Sequence, residues 1–357
     1  MSERFGIYFQ NSLYISVFAS LFLVFSPLLA RRYSAKCRYY TWLVFFIALV
    51  FPVRPEMRVS TPVIFWEIIP QNNMAGTILD TVTSGNGIVC KIEGQALYHT
   101  AGLLWIIGAL CFLCWHIFQN FRFAATVRRW SEDAEPDVLE AFAHAKADLR
   151  MQAKVSIQSC ACIKTPMMAG LLRPVILVPR TGLPPDGLPL ILKHELVHFK
   201  RKDMWYKALI LLALSIHWFN PMVYLMAKIA MGLCEISCDE AVLQEVDAKG
   251  RARYGETIIN VTRKRNSYRM LLATGFYSGA KDMKKRVHAI MDMKSRRFSP
   301  ILPMLVITVI LCGITTIALS SAQTQGSMQE PPAITDHTKN VEAAYDNSQR
   351  PFVMIYD

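Results

Sequence analysis

Long apolar runs constrain this chain more than any other feature of its sequence. Residues 13–30 are almost entirely apolar and end against two arginines, and residues 97–121 and 300–320 form comparable runs. A helix needs about 20 apolar residues to cross the roughly 30 Å hydrocarbon layer of a bilayer, so each run predicts a transmembrane helix. A shorter run, residues 39–53, is predicted to span with the help of aromatic residues at its ends.

The composition agrees with a chain that is partly surrounded by lipid. Of its 357 residues, 53% are hydrophobic and 18% are charged, whereas soluble domains are about 25% charged. The net charge of +12 could indicate nucleic-acid binding. The basic residues cluster beside apolar runs, however, and no helix-turn-helix or zinc-finger pattern accompanies them. We therefore expect a lipid bilayer as a partner and no direct contact with nucleic acid.

The positions of lysine and arginine orient the predicted spans. These residues are concentrated in segments 31–38, 122–129 and 281–297, and short segments rich in them stay on the cytoplasmic side of a membrane. One arrangement satisfies all three segments. The N-terminus and the loop 54–96 then lie outside, and residues 122–299 form a cytoplasmic domain.

The predicted cytoplasmic domain combines helices and strands. Apolar residues at helical spacing predict a helix over residues 137–151, and short apolar runs predict strands over residues 155–159 and 175–178. Another helical pattern begins near Leu188. The outer tail, residues 321–357, is rich in Gln, Pro, Asp and Asn, a composition typical of disordered segments.

Nine cysteines are scattered along the chain without the even-numbered framework of secreted proteins. Cys160 and Cys162, and likewise Cys234 and Cys238, have spacings that occur in metal sites. Small buried residues in a reducing compartment are the favoured interpretation of all four.

The main chemical signal is the motif His194-Glu195-Leu196-Val197-His198. Helical residues four apart share a face, so both imidazoles can bind one metal ion. Zinc makes a neighbouring water molecule more acidic, and Glu195 can then accept its proton during attack on a peptide carbonyl. The alternative is a helix with two solvated histidines.

A catalytic zinc site takes three protein ligands, and Glu235 is the best candidate for the third. Asp239 lies one helical turn later and would accept the free N–H of a ligand histidine, fixing its tautomer. The alternative is an ordinary acidic helix face. Asp203 is a candidate for a similar supporting role, or for an ion pair with Lys200 or Lys202.

The apolar stretch between the two parts of the site has to return the chain to its starting point. Residues 204–233 are interrupted by Asn220-Pro221, where asparagine suits a helix N-cap and proline the first helical position. The two halves, residues 208–219 and 222–233, are each too short to cross a bilayer. They predict a membrane-proximal helical hairpin, buried under the domain or in the inner leaflet.

Three further residues are candidates for polarising the scissile carbonyl: His217, Tyr224 and Tyr254. Such residues in apolar helices are more often buried groups with structural partners. Both interpretations stay open at this point.

These motifs resemble those of bacterial membrane metallopeptidases of the BlaR/MecR type, which transduce beta-lactam signals. The resemblance covers about residues 1–320. It depends on the four-span layout and on the segments Thr165 to Pro179, His194 to Asp203, Phe219 to Pro221 and Glu235 to Glu240.

The resemblance implies an α-helical membrane protein with four transmembrane helices and an inserted α+β, gluzincin-like zinc metallopeptidase domain in the cytoplasm. It implies that strand 175–178 holds an extended peptide substrate by strand addition, and that the substrate is a cytoplasmic transcriptional repressor. It also implies self-cleavage before the last span. Arg296 and Arg297 occur there, although they fit a positive-inside stop equally well. A homodimer is compatible with all of these features.

The chain departs from this family in one respect. The family's sensors carry a penicillin-binding domain with a Ser-x-x-Lys motif after the last span, and residues 321–357 contain no such motif. Direct acylation by a beta-lactam is therefore not expected. Two alternatives to a signalling peptidase stay open: a quality-control or prenyl-protein type zinc peptidase, and a non-catalytic membrane receptor or scaffold.

Overall fold

The structure, a computed structural model, describes residues 2–52, 94–181, 187–263, 280–292 and 299–310. In chain order the helices are α1 Ser2–Arg32, α2 Ala35–Val50, α3 Gly94–Trp130, α4 Pro136–Asp148, α5 Leu188–Lys200, α6 Asp203–Ile216, α7 Pro221–Val242, α8 Ala248–Arg263, α9 Ala280–Met291 and α10 Ile301–Ile310. The strands are β1 Ser131–Asp133, β2 Ser156–Cys160, β3 Met167–Ala169 and β4 Val175–Pro179.

Several predicted features fall outside the described residues. They are nearly all of the loop 54–96, the second half of the fourth predicted span, Arg296, Arg297 and the tail 321–357. The first half of the fourth span is helix α10.

Within the described residues, three helices are long and apolar enough to cross a membrane: α1 from Phe5, α3 from His99, and α7. The first two coincide with the first and third predicted spans. In the most apolar 18-residue segment of each helix, only 11% of α1 and 6% of α3 is buried inside the protein. A helix that is apolar all round and not covered by protein is typical of a membrane span.

Helix α2 contains most of the second predicted span and lies at the centre of a helical bundle. It has 16 residues, a length of about 24 Å. Tyr39, Trp42 and Phe46 are fully buried and pack against α1, α6 and α7. Because protein surrounds α2, its length is not set by the thickness of a lipid layer. Its role as a span stays a prediction.

Helices α6 and α7 form the hairpin that the Asn220-Pro221 break predicts. The Asn220 side chain accepts a hydrogen bond from the Met222 backbone N–H at 2.9 Å, and Pro221 is the first residue of α7. The hairpin differs from the prediction in length. Helix α7 continues unbroken to Val242 because its last two turns remain buried on one side, so the prediction that each half is too short to span a bilayer is wrong for α7.

The hairpin runs along the whole of α2 and not only beneath the domain. At one end the hydroxyl of Tyr39, near the start of α2, donates a hydrogen bond to Asp203 at the start of α6. At the other end the ring Nε2 of His217 lies 3.1 Å from the carbonyl oxygen of Leu49. The hairpin tip is therefore level with the last turn of α2.

The four strands form one mixed sheet in the order β1-β2-β4-β3. Strand β2 pairs parallel with β4, and β1 and β3 pair antiparallel with β2 and β4. The strands predicted over residues 155–159 and 175–178 are present as β2 and β4. However, β4 is paired on both sides, so the expectation that it holds a substrate by strand addition is wrong. The edge on that side of the sheet is β3.

A tight turn connects β3 to β4 and depends on Gly170. Its φ of +88° lies in the region that favours glycine, and a side chain there would collide with the carbonyl group of Arg173. The turn allows the edge strand β3 to fold back along β4.

Helix α5 lies between the sheet and the C-terminal helices. Leu192 and Leu196 pack with β2, β4 and α4 in one buried cluster. Val197 packs on the other side with α7, α8 and α9, through residues that include Val242 and Tyr254. The central position of α5 brings side chains of several elements against its polar residues.

We expect Asn220→Ala to lower the free energy of unfolding by about 2–3 kcal/mol, because an N-cap and two further hydrogen bonds are lost. The Asn220 amide also donates to the hydroxyls of Ser12 and Ser16, at 2.7 and 2.8 Å. Equilibrium unfolding of the full chain in detergent micelles would measure the change. The matched control is Asn260→Ala, at an exposed position inside α8. Equal stability of the two variants would contradict the prediction.

Candidate metal centre

Helix α5 places His194 and His198 one turn apart on its buried face. Their side chains are 8% and 0% exposed, and their Nε2 atoms lie 3.2 Å apart. The alternative of two solvated histidines is therefore wrong. Both Nε2 atoms point to one location between α5 and α7.

Helix α7 brings Glu235 to the same location. Its carboxylate oxygens lie 3.5 Å from Nε2 of His194 and 3.6 Å from Nε2 of His198. In a tetrahedral zinc site with bonds of 2.0–2.1 Å, ligand atoms lie about 3.3–3.4 Å apart. Two imidazoles and one carboxylate at this separation fit zinc, and a site with three protein ligands keeps a fourth position open.

Asp203 orients His198 from the side opposite the Nε2 atom. One carboxylate oxygen lies 2.8 Å from Nδ1 of His198, and the other accepts a hydrogen bond from Tyr39 at 3.1 Å. Burial lowers the pKa of His198, but the hydrogen bond to Asp203, the contact with Cys234 and the charge of Glu235 together raise it more, so that it stands well above its ordinary value. This geometry fits the prediction that Asp203 orients a ligand histidine better than the alternative of an ion pair with Lys200 or Lys202.

Asp239 and Tyr254 lie behind His194 in the same way. Asp239 Oδ1 is 3.1 Å from Nδ1 of His194, and the Tyr254 hydroxyl lies 3.1 Å from that nitrogen while it donates to Asp239 at 2.9 Å. Burial lowers the pKa of His194, but the hydrogen bonds to Asp239 and Glu235 raise it more, so that its net shift is upward. Tyr254 therefore contacts the rear of the imidazole, a position that suits orientation of the ring and not stabilisation of a substrate carbonyl.

Arg286 is a site residue that no sequence motif indicated. It donates two hydrogen bonds to Asp239, at 2.8 and 2.9 Å, and lies 3.2 Å from Glu235. A buried arginine between two buried carboxylates offsets part of their charge. The one signal in the sequence is that Arg286 shares the apolar face of α9 with Met283 and Ile290, although its basic neighbours suggested only a topology signal.

Arg201 was not predicted either, and it connects the site to helix α2. Its side chain lies 3.5 Å from Asp203 and donates to the hydroxyl of Ser237 at 2.7 Å. Its guanidinium stacks 4.8 Å from the ring centre of Tyr39. Tyr39 therefore contacts both Arg201 and Asp203.

The structure does not bring His217 or Tyr224 to the site. Both lie at the hairpin tip, about 20 Å along α6 from Asp203. The Tyr224 hydroxyl donates to the Trp218 carbonyl oxygen at 2.9 Å, and His217 contacts Leu49. Neither can polarise a carbonyl group at the metal centre.

Glu195 is buried on α5, with 6% of its surface exposed. It follows His194 directly, so its side chain is rotated around the helix axis by about 100° from His194 and by about 60° from His198. It stays the candidate for the general base.

Comparison with known proteins gives the family of the chain. A model of the family described as BlaR1 peptidase M56 matches residues 7–290. The regulatory protein BlaR1 of Bacillus licheniformis is 27% identical over 349 residues, which cover 90% of this chain and 58% of that protein. The methicillin resistance mecR1 proteins of Staphylococcus aureus and Staphylococcus epidermidis are 24% identical over 302 residues, which cover 79% of this chain and 51% of theirs.

The chain thus spans about half the length of the curated relatives that it matches. The matched region includes α1 to α9 almost completely and every residue of the candidate metal centre. The chain belongs to the BlaR1 peptidase M56 family.

Proposed function

We propose that this protein is a membrane-embedded zinc endopeptidase that acts in transmembrane signalling by cleaving a cytoplasmic transcriptional repressor. The observation that carries the proposal is the convergence of His194, His198 and Glu235 at separations that suit an open zinc site. Membership in a family of peptidases supports the same conclusion.

In the proposed arrangement the chain crosses the bacterial cytoplasmic membrane four times and residues 122–299 form a gluzincin-like domain in the cytoplasm. Helices α1 and α3 both end in pairs of arginines, which favour the cytoplasmic side. The start of α2 lies at that same end and is close to the metal centre, because the Ala35 N–H donates to Glu240 in α7 at 3.1 Å. The metal centre then faces the cytoplasm at the membrane surface.

In the proposed reaction His194, His198 and Glu235 hold zinc, and Glu195 acts as general base. Zinc supplies a Lewis acid that polarises the peptide carbonyl and lowers the pKa of water towards neutrality. Glu195 accepts the proton of the attacking water and delivers it to the leaving amine. Asp203 and Asp239 keep the Nδ1–H tautomers of the two histidines, so that both Nε2 lone pairs face the metal.

The edge strand β3 is the proposed docking site for the substrate backbone. It lies against α5 and is followed by a cleft of about 560 Å³ lined by Met168, Leu171, Phe199 and Met204, among other residues. An extended peptide can add a strand at the edge of a sheet and place alternate side chains in such a cleft. A second proposed substrate is the chain itself, near Arg296 and Arg297.

We expect Glu195→Gln to lower cleavage of the repressor at least about 100-fold, the contribution of a general base, while zinc remains bound. The assay is immunoblotting of a candidate repressor encoded beside the gene, after co-expression with the full chain. Glu140→Gln, at a position with 77% of its side chain exposed, is the matched control and should cleave normally.

Full activity of Glu195→Gln would contradict the proposed base. The same variant also works as a substrate trap. Capture of one regulator supports the proposed function, whereas capture of many misfolded membrane proteins would favour a quality-control peptidase. A wild-type chain that cleaves nothing under any stimulus would favour a scaffold.

We expect His198→Ala to abolish stoichiometric zinc binding at the catalytic site, because a two-ligand site does not hold the ion. This variant and its control are both made in a Cys234→Ser background, since Cys234 and Cys238 beside His198 are also candidate ligands. Metal analysis of the purified chain by mass spectrometry measures this directly. The matched control is His144→Ala, on an exposed surface of α4 with 76% of its side chain accessible, which should retain one zinc. Equal zinc contents in the two variants would contradict the assigned ligands.

We expect zinc affinity to fall as the pH falls, starting above the ordinary pKa of histidine. In the metal-free protein the pKa values of His194 and His198 are raised, so protons compete with zinc at higher pH than for free imidazole. Chelator competition between pH 6 and 9 would show about a tenfold loss per pH unit for each proton displaced. Asp203→Asn should move the onset to lower pH, and an affinity that does not depend on pH would contradict the prediction.

A further inference from the structure

A second group of buried metal-binding atoms lies behind His198, on the side away from the proposed catalytic zinc. It consists of the thiols of Cys234 and Cys238, a carboxylate oxygen of Asp203 and the Nδ1 atom of His198. All four atoms lie within 4.8 Å of one another. Cys234 and Cys238 are one turn apart on α7 and therefore share a face. The proposed peptidase reaction gives neither cysteine a role.

The separations within this group match those of a tetrahedral site. The distances from Sγ to His198 Nδ1 are 3.8 Å for Cys234 and 3.4 Å for Cys238, and those to Asp203 Oδ2 are 3.4 and 3.7 Å. With zinc–sulfur bonds of about 2.3 Å and zinc–nitrogen or zinc–oxygen bonds of about 2.0–2.1 Å, tetrahedral geometry requires about 3.5 Å. The pair formed by His198 and Asp203 is closer, at 2.8 Å, because a hydrogen bond joins the two.

The charges around the group also suit a divalent cation. Arg201 donates to the sulfur of Cys238 at 3.2 Å and lies 3.5 Å from Asp203. A fixed cation beside a thiol favours the thiolate that a metal requires, and Arg201 acts here against burial, which holds the pKa of Cys238 above its ordinary value. Two thiolates, one carboxylate, a neutral imidazole, Arg201 and a divalent metal ion together carry no net charge. Such a neutral cluster can be buried at small electrostatic cost.

We propose that Cys234, Cys238, Asp203 and His198 form a second metal site for a thiophilic divalent cation, zinc or cadmium, and that its occupation inhibits the peptidase. Four protein ligands with two thiolates make a closed site, which leaves no open position for a substrate. The binding does not depend on the proposed function; only the inhibition does.

The inhibition follows from the chemistry of imidazole. Neutral imidazole has one nitrogen that carries hydrogen and one with a free lone pair. The catalytic arrangement needs the lone pair on Nε2 of His198, with Nδ1–H donated to Asp203. The second site needs the lone pair on Nδ1 and also takes the Asp203 oxygen that holds the ring. One neutral His198 therefore serves one site at a time, and excess metal removes a catalytic ligand.

Cadmium titration of the full chain in detergent micelles tests the binding. All variants are made in one background. It carries His194→Ala, which removes a ligand of the catalytic site only. It also carries Cys160→Ser and Cys162→Ser, because these two sulfurs lie 2.8 Å apart and form another thiol pair. We expect a thiolate-to-cadmium charge-transfer absorbance that saturates at one equivalent. Adding Cys234→Ser or Cys238→Ser should abolish it. Adding Cys111→Ser with Cys114→Ser, which removes two exposed thiols of α3, should leave it unchanged.

A cadmium signal that survives the loss of both Cys234 and Cys238, or that disappears with Cys111 and Cys114, would overturn the site. Circular dichroism confirms that each variant is folded.

The inhibition is tested separately. For each variant, repressor cleavage is measured at high and at low zinc, and the ratio of the two is compared between variants. We expect this ratio to be low for the wild type and to rise towards one for Cys234→Ser. Equal ratios would overturn the inhibitory role. If the chain cleaves no repressor at all, the proposed function fails while the cadmium titration still decides the site.

Discussion

A buried ionic cluster between α5 and α7 brings together residues from helices that are distant in the chain. Three carboxylates, Glu235, Asp239 and Asp203, lie almost completely out of solvent beside two histidines. Burying an unpaired charge costs several kcal/mol, so each carboxylate needs partners, and these come from elements far apart in the chain. Arg286 arrives from α9 and Tyr39 from α2. The cluster therefore determines where six helices meet.

The same cluster connects the helical bundle around α2 to helix α5 beside the sheet. Helix α2 is enclosed by α1 and the α6–α7 hairpin, and its first turns contact the site through Tyr39 and the Ala35 N–H. Asp203 links α2 to the site, because it accepts a hydrogen bond from the Tyr39 hydroxyl and another oxygen of the same carboxylate contacts Nδ1 of His198. A displacement of α2 relative to α6 would act on the hydrogen bond that orients a proposed zinc ligand. No other intervening element is needed for that coupling.

Features that depend on neighbouring residues were predictable from the sequence. The spacing of His194 and His198 follows from the helical period, and the Asn220-Pro221 cap follows from local backbone preferences. The positions of β2 and β4 were also predicted within a residue. The failures concern longer-range partners. Strand β4 was predicted to bind the substrate along a free edge, but it is paired with a strand on each side. The residues of a strand do not show whether one of its two edges stays unpaired. Arg286 lies among other basic residues, so its charge did not distinguish it from them.

The helix with two histidines, the apolar runs and the break that makes a hairpin all follow from local sequence, because helical period, burial of apolar residues and capping act over a few residues. The positions of Tyr254 behind His194, of His217 far from the site, and of Cys234 and Cys238 beside Asp203 follow from long-range packing. Those relations depend on the packing of α7 against α5 and α2. The physical reason is that a buried polar group takes whichever partner the fold brings within hydrogen-bond distance, and sequence separation does not restrict that choice.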